Sequence, residues 1–300
     1  MNLPEAMRIY VQVADLASFT RAADSLGLPK TSVSAAVQQL ENRLGTRLLH
    51  RTTRRVEMTQ DGRLFRERCL DLLADMDELD SLFRQSPQTL RGRLRVDLPT
   101  GMARNVVIPA LPAFLAAHPD LELELGSTDR RVDLVREGFD CVLRIGTLSD
   151  SSLVARPLGH LPQLNCASPA YVRQYGLPQT LADLARHQLV HYAGSFGSRI
   201  PGFEYVEAGE TRFVEMPGAL TVNNSEAYQA ACIAGLGIIQ APAIGMRPLI
   251  ATGQLVEVMT EFPAAPMPVS LVYAHRRHLP QRVKIFMDWL AEQLQPHLST

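Results

Sequence analysis

One tryptophan, a 6% share of aromatic residues and four cysteines are what this 300-residue sequence has least of. Cys69, Cys141, Cys166 and Cys232 stand far apart, without a C-x-x-C pair or zinc spacing. A disulfide framework and a zinc module have no support; all four are expected to be reduced packing residues, with no metal and no cofactor. No apolar run is expected to span a bilayer. The opening MNLPEAMRIYVQVADLASF also lacks the charged start, apolar core and small-residue cleavage site of a signal peptide. A soluble, cytoplasmic protein without membrane partners is therefore expected. Charge of one sign is missing too, with 30 Lys and Arg against 31 Asp and Glu. The distribution is uneven: residues 1–60 carry eight Lys and Arg against five Asp and Glu, whereas residues 61–90 lean acidic. The length allows two or three compact units.

The basic excess sits in SFTRAADSLGLPKTSVSAAVQQLENRLGTRLLHRTTRRVEMT, residues 18–59. A first helix is expected from about Thr20 to Leu26, with Ser18 or Thr20 as N-cap and Gly27 closing it. After a short turn, a second helix starts near Thr31 or Ser32 and carries Val33, Val37, Leu40 and Leu44 on one buried stripe. Its opposite face offers Lys30, Thr31, Ser32, Ser34, Ala35 and Gln38, side chains short or amide-bearing enough for a helix to enter a major groove and touch base edges. Residues 47–59 then read as a two-stranded wing with a basic tip, whose Arg51, Arg54 and Arg55 would meet phosphates. A basic cluster alone is more often a solvated surface, but turn, caps and wing in register reverse that and favour reading of double-stranded DNA.

This segment resembles the N-terminal winged helix-turn-helix of LysR-type transcriptional regulators. The resemblance is carried by Ser18-Phe19-Thr20-Arg21-Ala22-Ala23, Val33-Ser34, Leu40-Glu41-Asn42-Arg43-Leu44-Gly45, Arg47-Leu48-Leu49, and Arg51 to Arg55 through Met58-Thr59-Gln60-Asp61-Gly62. Lys30 stands where the family often has glutamine and Ala35 where it often has arginine. The family's preferred bases are therefore not implied for this chain.

After Thr59, the residues Phe65, Cys69, Leu72, Met76, Leu79 and Phe83 recur at steps of four and three, a heptad seam. An amphipathic helix packed within one chain has the same pattern; the resemblance implies a dimerising linker helix, and hence a homodimer or homotetramer. Ser86-Pro87-Gln88-Thr89 would break the helix and supply a hinge.

From Leu90 onward, strand-like and helix-like pieces alternate, which predicts a mostly parallel α/β sheet. Two lobes with a cleft between them are expected, with crossovers near Leu161–Gln163 and Pro266–Val269. The resemblance implies a regulatory domain similar to periplasmic solute-binding proteins. The expected domains are 1–59 (DNA-binding), 60–89 (linker and hinge) and 90–300 (effector-binding), with lobe 1 about 90–161 and 269–300 and lobe 2 about 162–268. Ligands in such folds sit where helices begin. Thr100 and the Asn223-Asn224-Ser225-Glu226 capping-box pattern mark two such starts, as caps alone or as caps that also hold ligand. By position, the resemblance implies an effector pocket of Thr100, Gly101, Thr128, Asp129, Arg144, Gly146, Thr147, Tyr192, Ser195, Asn223, Asn224 and Ser225. Arg144 near a cleft suggests a carboxylate effector, or else a surface pair with Asp140 or Glu137; Arg104 and Arg199 share that ambiguity.

Other signals carry less. Gly235-Leu236-Gly237 lacks the third glycine of a dinucleotide fingerprint and reads as a helix stop before a buried strand. His187 and His191 are four apart, but in a strand-like stretch that would separate them. Gly194-Ser195-Phe196-Gly197 does not match a nucleophile elbow, so no catalytic residues and no enzyme are expected. Phe286 and Trp289 read as core anchors. The expectation is a regulator that binds an interrupted palindromic operator and responds to a small molecule, with RNA polymerase as a further partner. Its competitors are a redox sensor on the same scaffold, a solute-binding module without a regulatory DNA site, and an enzyme.

Overall fold

The computed structural model describes residues 2–51, 56–81, 90–148, 153–197, 201–274 and 279–299. They divide into two compact units, residues 1–93 with 118–122, and residues 94–117 with 123–300.

The first unit opens with α1 (Leu3–Leu16), a helix the sequence reading had not drawn, capped by Asn2 accepting from the Glu5 amide. α2 (Phe19–Leu26) is capped by Ser18, whose Oγ accepts from the Arg21 amide at 3.3 Å, and closed by Gly27 at φ 64°, where a Cβ is disfavoured. α3 (Lys30–Leu44) starts one to two residues earlier than expected. The Pro29 carbonyl already accepts from the Ser32 and Val33 amides, so no side-chain cap is needed. β1 (Leu49–Arg51) and β2 (Val56–Met58) pair antiparallel, and Thr59 caps α4 (Gln60–Ser81) by accepting from the Gly62 amide at 2.8 Å. The core gathers Ile9, Tyr10 and Val13 with Ala22, Val33, Val37, Leu40, Leu48 and Leu49. Leu44, expected to join that stripe, is 43% exposed, because the helix ends at Gly45 beyond the core's reach.

The second unit runs β3 (Gly92–Leu98), α5 (Thr100–Met102), a π-helical turn Ala103–Val107, α6 (Ile108–Ala117), β4 (Leu121–Ser127), α7 (Leu134–Glu137), β5 (Cys141–Ile145), and β6 (Leu153–Leu161). It continues with β7 (Gln163–Ala167), α8 (Pro169–Tyr175), the 3-10 turn Leu181–Arg186, β8 (His191–Tyr192), β9 (Phe203–Glu207), β10 (Glu210–Val214), and β11 (Thr221–Val222). Then come α9 (Ser225–Ile233), β12 (Ile239–Pro242), α10 (Ala243–Ala251), β13 (Val256–Glu257), β14 (Met267–Ala274) and α11 (Gln281–Leu294).

These strands build a five-stranded sheet, ordered β4-β3-β5-β14-β6, and a three-stranded one, β12-β7-β13. The chain crosses between them at Pro162 and again at Pro266, close to both expected places. The larger sheet is mixed instead of mostly parallel: β3 and β5 are parallel, but β14 runs antiparallel to both β5 and β6.

Residues Thr100–Ala117 form one helical run of mean hydropathy 1.2, long and apolar enough by composition to cross a bilayer, contrary to expectation. Here it is a packing element: Met102, Ala103, Val107 and Phe114 are buried, and Phe114 stacks near Phe286 and Trp289 at 5.7 and 4.6 Å. The π turn falls just before Pro109 and Pro112, whose missing amide hydrogens interrupt the regular helix ladder. All four cysteines are buried, and burial pushes the thiols of Cys69 and Cys166 up to about 12.

Candidate DNA-reading helix and effector cleft

On α3, Val33, Ala36, Val37 and Leu40 are buried, which fixes the opposite face outward. Lys30, Thr31, Ala35 and Gln38 are exposed and Ser32 and Ser34 half-buried. Glu41 Oε1 accepts from the Leu48 and Leu49 amides at 2.9 and 3.1 Å, so the single acid between residues 28 and 55 anchors the start of the wing. Tyr10 donates to the Gly62 carbonyl at 2.8 Å, and a Cβ on Gly62 would lie 2.0 Å from the Leu48 carbonyl oxygen. This close approach locks wing, α1 and α4 together. Arg51 ends β1; its side chain, Arg54 and Arg55 lie outside the described residues.

The expected seam on α4 needs correction at its first two positions. Phe65 packs on the Tyr10 ring at 5.4 Å and Cys69 is fully buried, both in the core of their own unit. The first turns of α4 close the head, so their inward face is already occupied. Leu64, Leu72 and Met76 are instead 59%, 50% and 38% exposed. Phe83 and the Leu79 side chain lie outside the described residues.

In the second unit, a cavity of about 1260 Å³ is lined from both sheets. It gathers Gly101, Thr128, Asp129, Arg144, Gly146, Thr147, Tyr192, Ser195 and Ser225, but not the side chains of Thr100, Asn223 or Asn224. Asn224, not Asn223, caps α9 by accepting from the Ala227 amide at 2.8 Å, and Glu226 turns to Arg104 instead of completing a capping box. Sequence reasoning missed Gln163, Gln240, Tyr228 and Ile244 in the lining. The signal for Gln163 was its position at a crossover, read there only as a boundary.

The guanidinium expected to receive a carboxylate is engaged elsewhere. Arg144 donates to Asp97 Oδ2 at 3.5 Å and to the Val132 carbonyl at 3.1 Å. Asp97 is completely buried; burial raises its carboxyl and Arg144 opposes that shift, while burial lowers Arg144. Neither expected partner takes Arg144, since Asp140 accepts from the Arg95 amide and Glu137 from Arg130. Arg199 lies outside the described residues. Burial and the nearby Asp129 charge push the Tyr192 phenol up to about 12. Of the two histidines, His187 meets the Tyr171 hydroxyl at 3.1 Å, whereas His191 lines the cleft.

A two-lobed α/β clamp around one large cavity, on the same chain as a winged helix-turn-helix, defines a ligand-responsive DNA-binding regulator. The chain belongs to the LysR family: residues 87–295 match the LysR substrate binding domain, and residues 4–63 match the bacterial regulatory helix-turn-helix protein, lysR family. It is 46% identical over 299 residues to the HTH-type transcriptional regulator YhjC of Escherichia coli strain K12, covering 100% of each chain. It is 39% identical over 294 residues to an HTH-type transcriptional repressor of Pseudomonas aeruginosa strain UCBPP-PA14, covering 97% of this chain and 92% of that one. Among solved structures it is similar to CrgA, a LysR-type transcriptional regulator from Neisseria meningitidis, at TM-score 0.61 and 29% identity over 98% and 99% of the two chains. The virulence activator AphB of Vibrio cholerae gives TM-score 0.58 and 26% identity over 99% and 100%. The protein is a LysR-type transcriptional regulator with a helix-turn-helix and an effector-binding domain. The redox-sensor and pure solute-binding readings are not favoured.

Proposed function

We propose that this regulator works in the cytoplasm, without catalysis, as a homodimer or a dimer of dimers. It spans two half-sites of an interrupted palindrome near a promoter, where RNA polymerase is its further partner. The outward face of α3, from Lys30 to Gln38, reads base edges, and Arg51, Arg54 and Arg55 of the wing hold phosphates. Residues 1–59 form the head, 60–89 the linker and hinge, and 90–300 the effector domain. The observation that carries this reading is the outward face of α3, where exposed Lys30, Thr31, Ala35 and Gln38 back onto a fully packed stripe. Two heads on one dimer multiply a weak half-site affinity through effective concentration. An effector in the cleft acts by binding one arrangement of lobes better than another.

Footprinting on the gene's own upstream region tests this at two salt concentrations, with wild type beside Ser34→Ala and Arg54→Ala. A two-part protected site, lost preferentially in Ser34→Ala and weakened generally in Arg54→Ala, is expected. Equal binding to any duplex would remove the operator-reading role.

A further inference from the structure

The geometry points to Asp129 as a built-in carboxylate that fills the anion-binding position of the cleft and thereby excludes effectors that would place a carboxylate there. This rests on the reading of the cavity as the effector site. Asp129 follows β4; its Oδ1 accepts from the Thr100 amide at 2.9 Å and its Oδ2 from the Ser225 amide at 2.5 Å. Those two amides begin two helical segments, the Thr100–Ala117 run beside the larger sheet and α9 beside the smaller one. Free amides and the helix dipole make such starts attractive to an anion, and here one side chain meets both at once. Hydrogen bonds to an ionised acceptor are the stronger kind, so Asp129 ties one lobe to the other. Arg104 and Glu226 make a second tie between the same segments, at 2.8 and 3.0 Å, but at an exposed site where it contributes little.

The rest of the lining agrees. Arg144 is paired with buried Asp97, Arg130 with Glu137, and Arg131 donates to the Thr147 carbonyl. A second carboxylate entering beside Asp129 would meet like charge at short range. The remaining cleft joins apolar wall from Leu134, Leu148, Leu153, Phe213, Ile244 and Met267 to the polar side chains of Gln163, His191, Tyr192 and Gln240. An uncharged effector with apolar and hydrogen-bonding surface fits this lining and replaces the carboxylate expected from Arg144.

Chemical rescue tests the assignment on the full-length protein. Asp129→Ala leaves a carboxylate-sized gap between the two amides, and formate is the probe, with chloride at equal ionic strength as control. Formate is expected to raise the thermal midpoint of Asp129→Ala by about 2–4 °C, the shift of a kilocalorie-scale site in a domain this size, and to leave wild type where chloride leaves it. Asp129→Asn keeps the shape but turns an N–H2 toward one amide donor. It is expected to melt below wild type without responding to formate. Equal formate response in wild type and Asp129→Ala, no response in either, or a wild-type midpoint in Asp129→Asn overturns the proposal. Because footprinting does not read the Asp129 contacts, failure here leaves the operator-reading role standing.

Discussion

Tyr10 on α1 and Gly62 on α4, 52 residues apart in sequence, meet through a 2.8 Å hydrogen bond from the phenol to the carbonyl, with the tyrosine ring completely buried. Removing the hydroxyl leaves a buried carbonyl without that donor. Tyr10→Phe is expected to lower head stability by about 1–3 kcal/mol in urea denaturation. Gly62→Ala should be worse, because its Cβ would sit 2.0 Å from the Leu48 carbonyl oxygen and push the wing away.

Gln38 projects from the exposed face of α3. Gln38→Ala should cost operator binding about 1–3 kcal/mol while leaving affinity for random duplex unchanged, the mark of a base contact. Competition gel shifts would separate that from a uniform loss.

Leu72 is half exposed on α4 whereas Cys69, three residues earlier, is buried. Leu72→Asp is expected to change monomer stability by no more than about 0.5 kcal/mol. Its dimer dissociation constant should rise at least about tenfold in analytical ultracentrifugation. An unchanged dimer would move the pairing surface off this face.

Arg144 opposes a carboxylate that has no access to water. Arg144→Met should destabilise the effector domain by about 3–5 kcal/mol, since it strands a buried charge. Adding Asp97→Leu should recover most of that loss in thermal denaturation, because neither charge then remains. A double variant no better than the single one would refute the pairing.

His187 is 3% exposed and burial lowers its pKa. The Gln188 amide donates to the Tyr171 hydroxyl at 2.7 Å, and that hydroxyl lies 3.1 Å from His187 Nδ1 in a bond whose direction follows the imidazole tautomer. A histidine kept neutral in the fold takes up a proton only on unfolding. Stability should therefore decline as pH falls below about 6.5, the unfolded value, toward the depressed folded one. His187→Asn should flatten that slope in denaturation series between neutral and mildly acid pH; His191, shifted the same way, keeps part of it.

The head was the most legible part, because its caps, glycine stops and apolar steps are local signals. Ser18 and Gly27 act as their residue types require. Some errors came from contacts distant in sequence and others from local signals passed over, as with α1. A heptad step cannot tell which neighbour a face meets, so Phe65 and Cys69 read as dimer contacts when Tyr10, 55 residues before Phe65, already covers that side. Asn223 lost the cap to Asn224 by one residue, a difference set by where β11 ends. The β9–β10 hairpin was overlooked although Phe203-Glu204-Tyr205 alternates and Ala208-Gly209, both at positive φ, form its turn. In the cleft, nine of the twelve family-implied positions fall in the lining, but most lining residues were not among them. The partners of Arg144 and Asp129 depend on how β3, β4, β5 and α9 converge, which no spacing encodes.

β14 lies between β5 and β6, yet it is made from residues 267–274. A ribosome that has delivered residues 92–161 has supplied four of the five strands with a gap in the middle of the sheet. That gap closes only after the smaller lobe has been threaded out and the chain has returned. The head, whose core residues all lie within the first 73 residues, has no such wait. Synthesis therefore separates the two competences in time: the part that recognises DNA can mature on the ribosome, while the sensing part must assemble late, from strands distant in sequence, and is the half more exposed to misfolding.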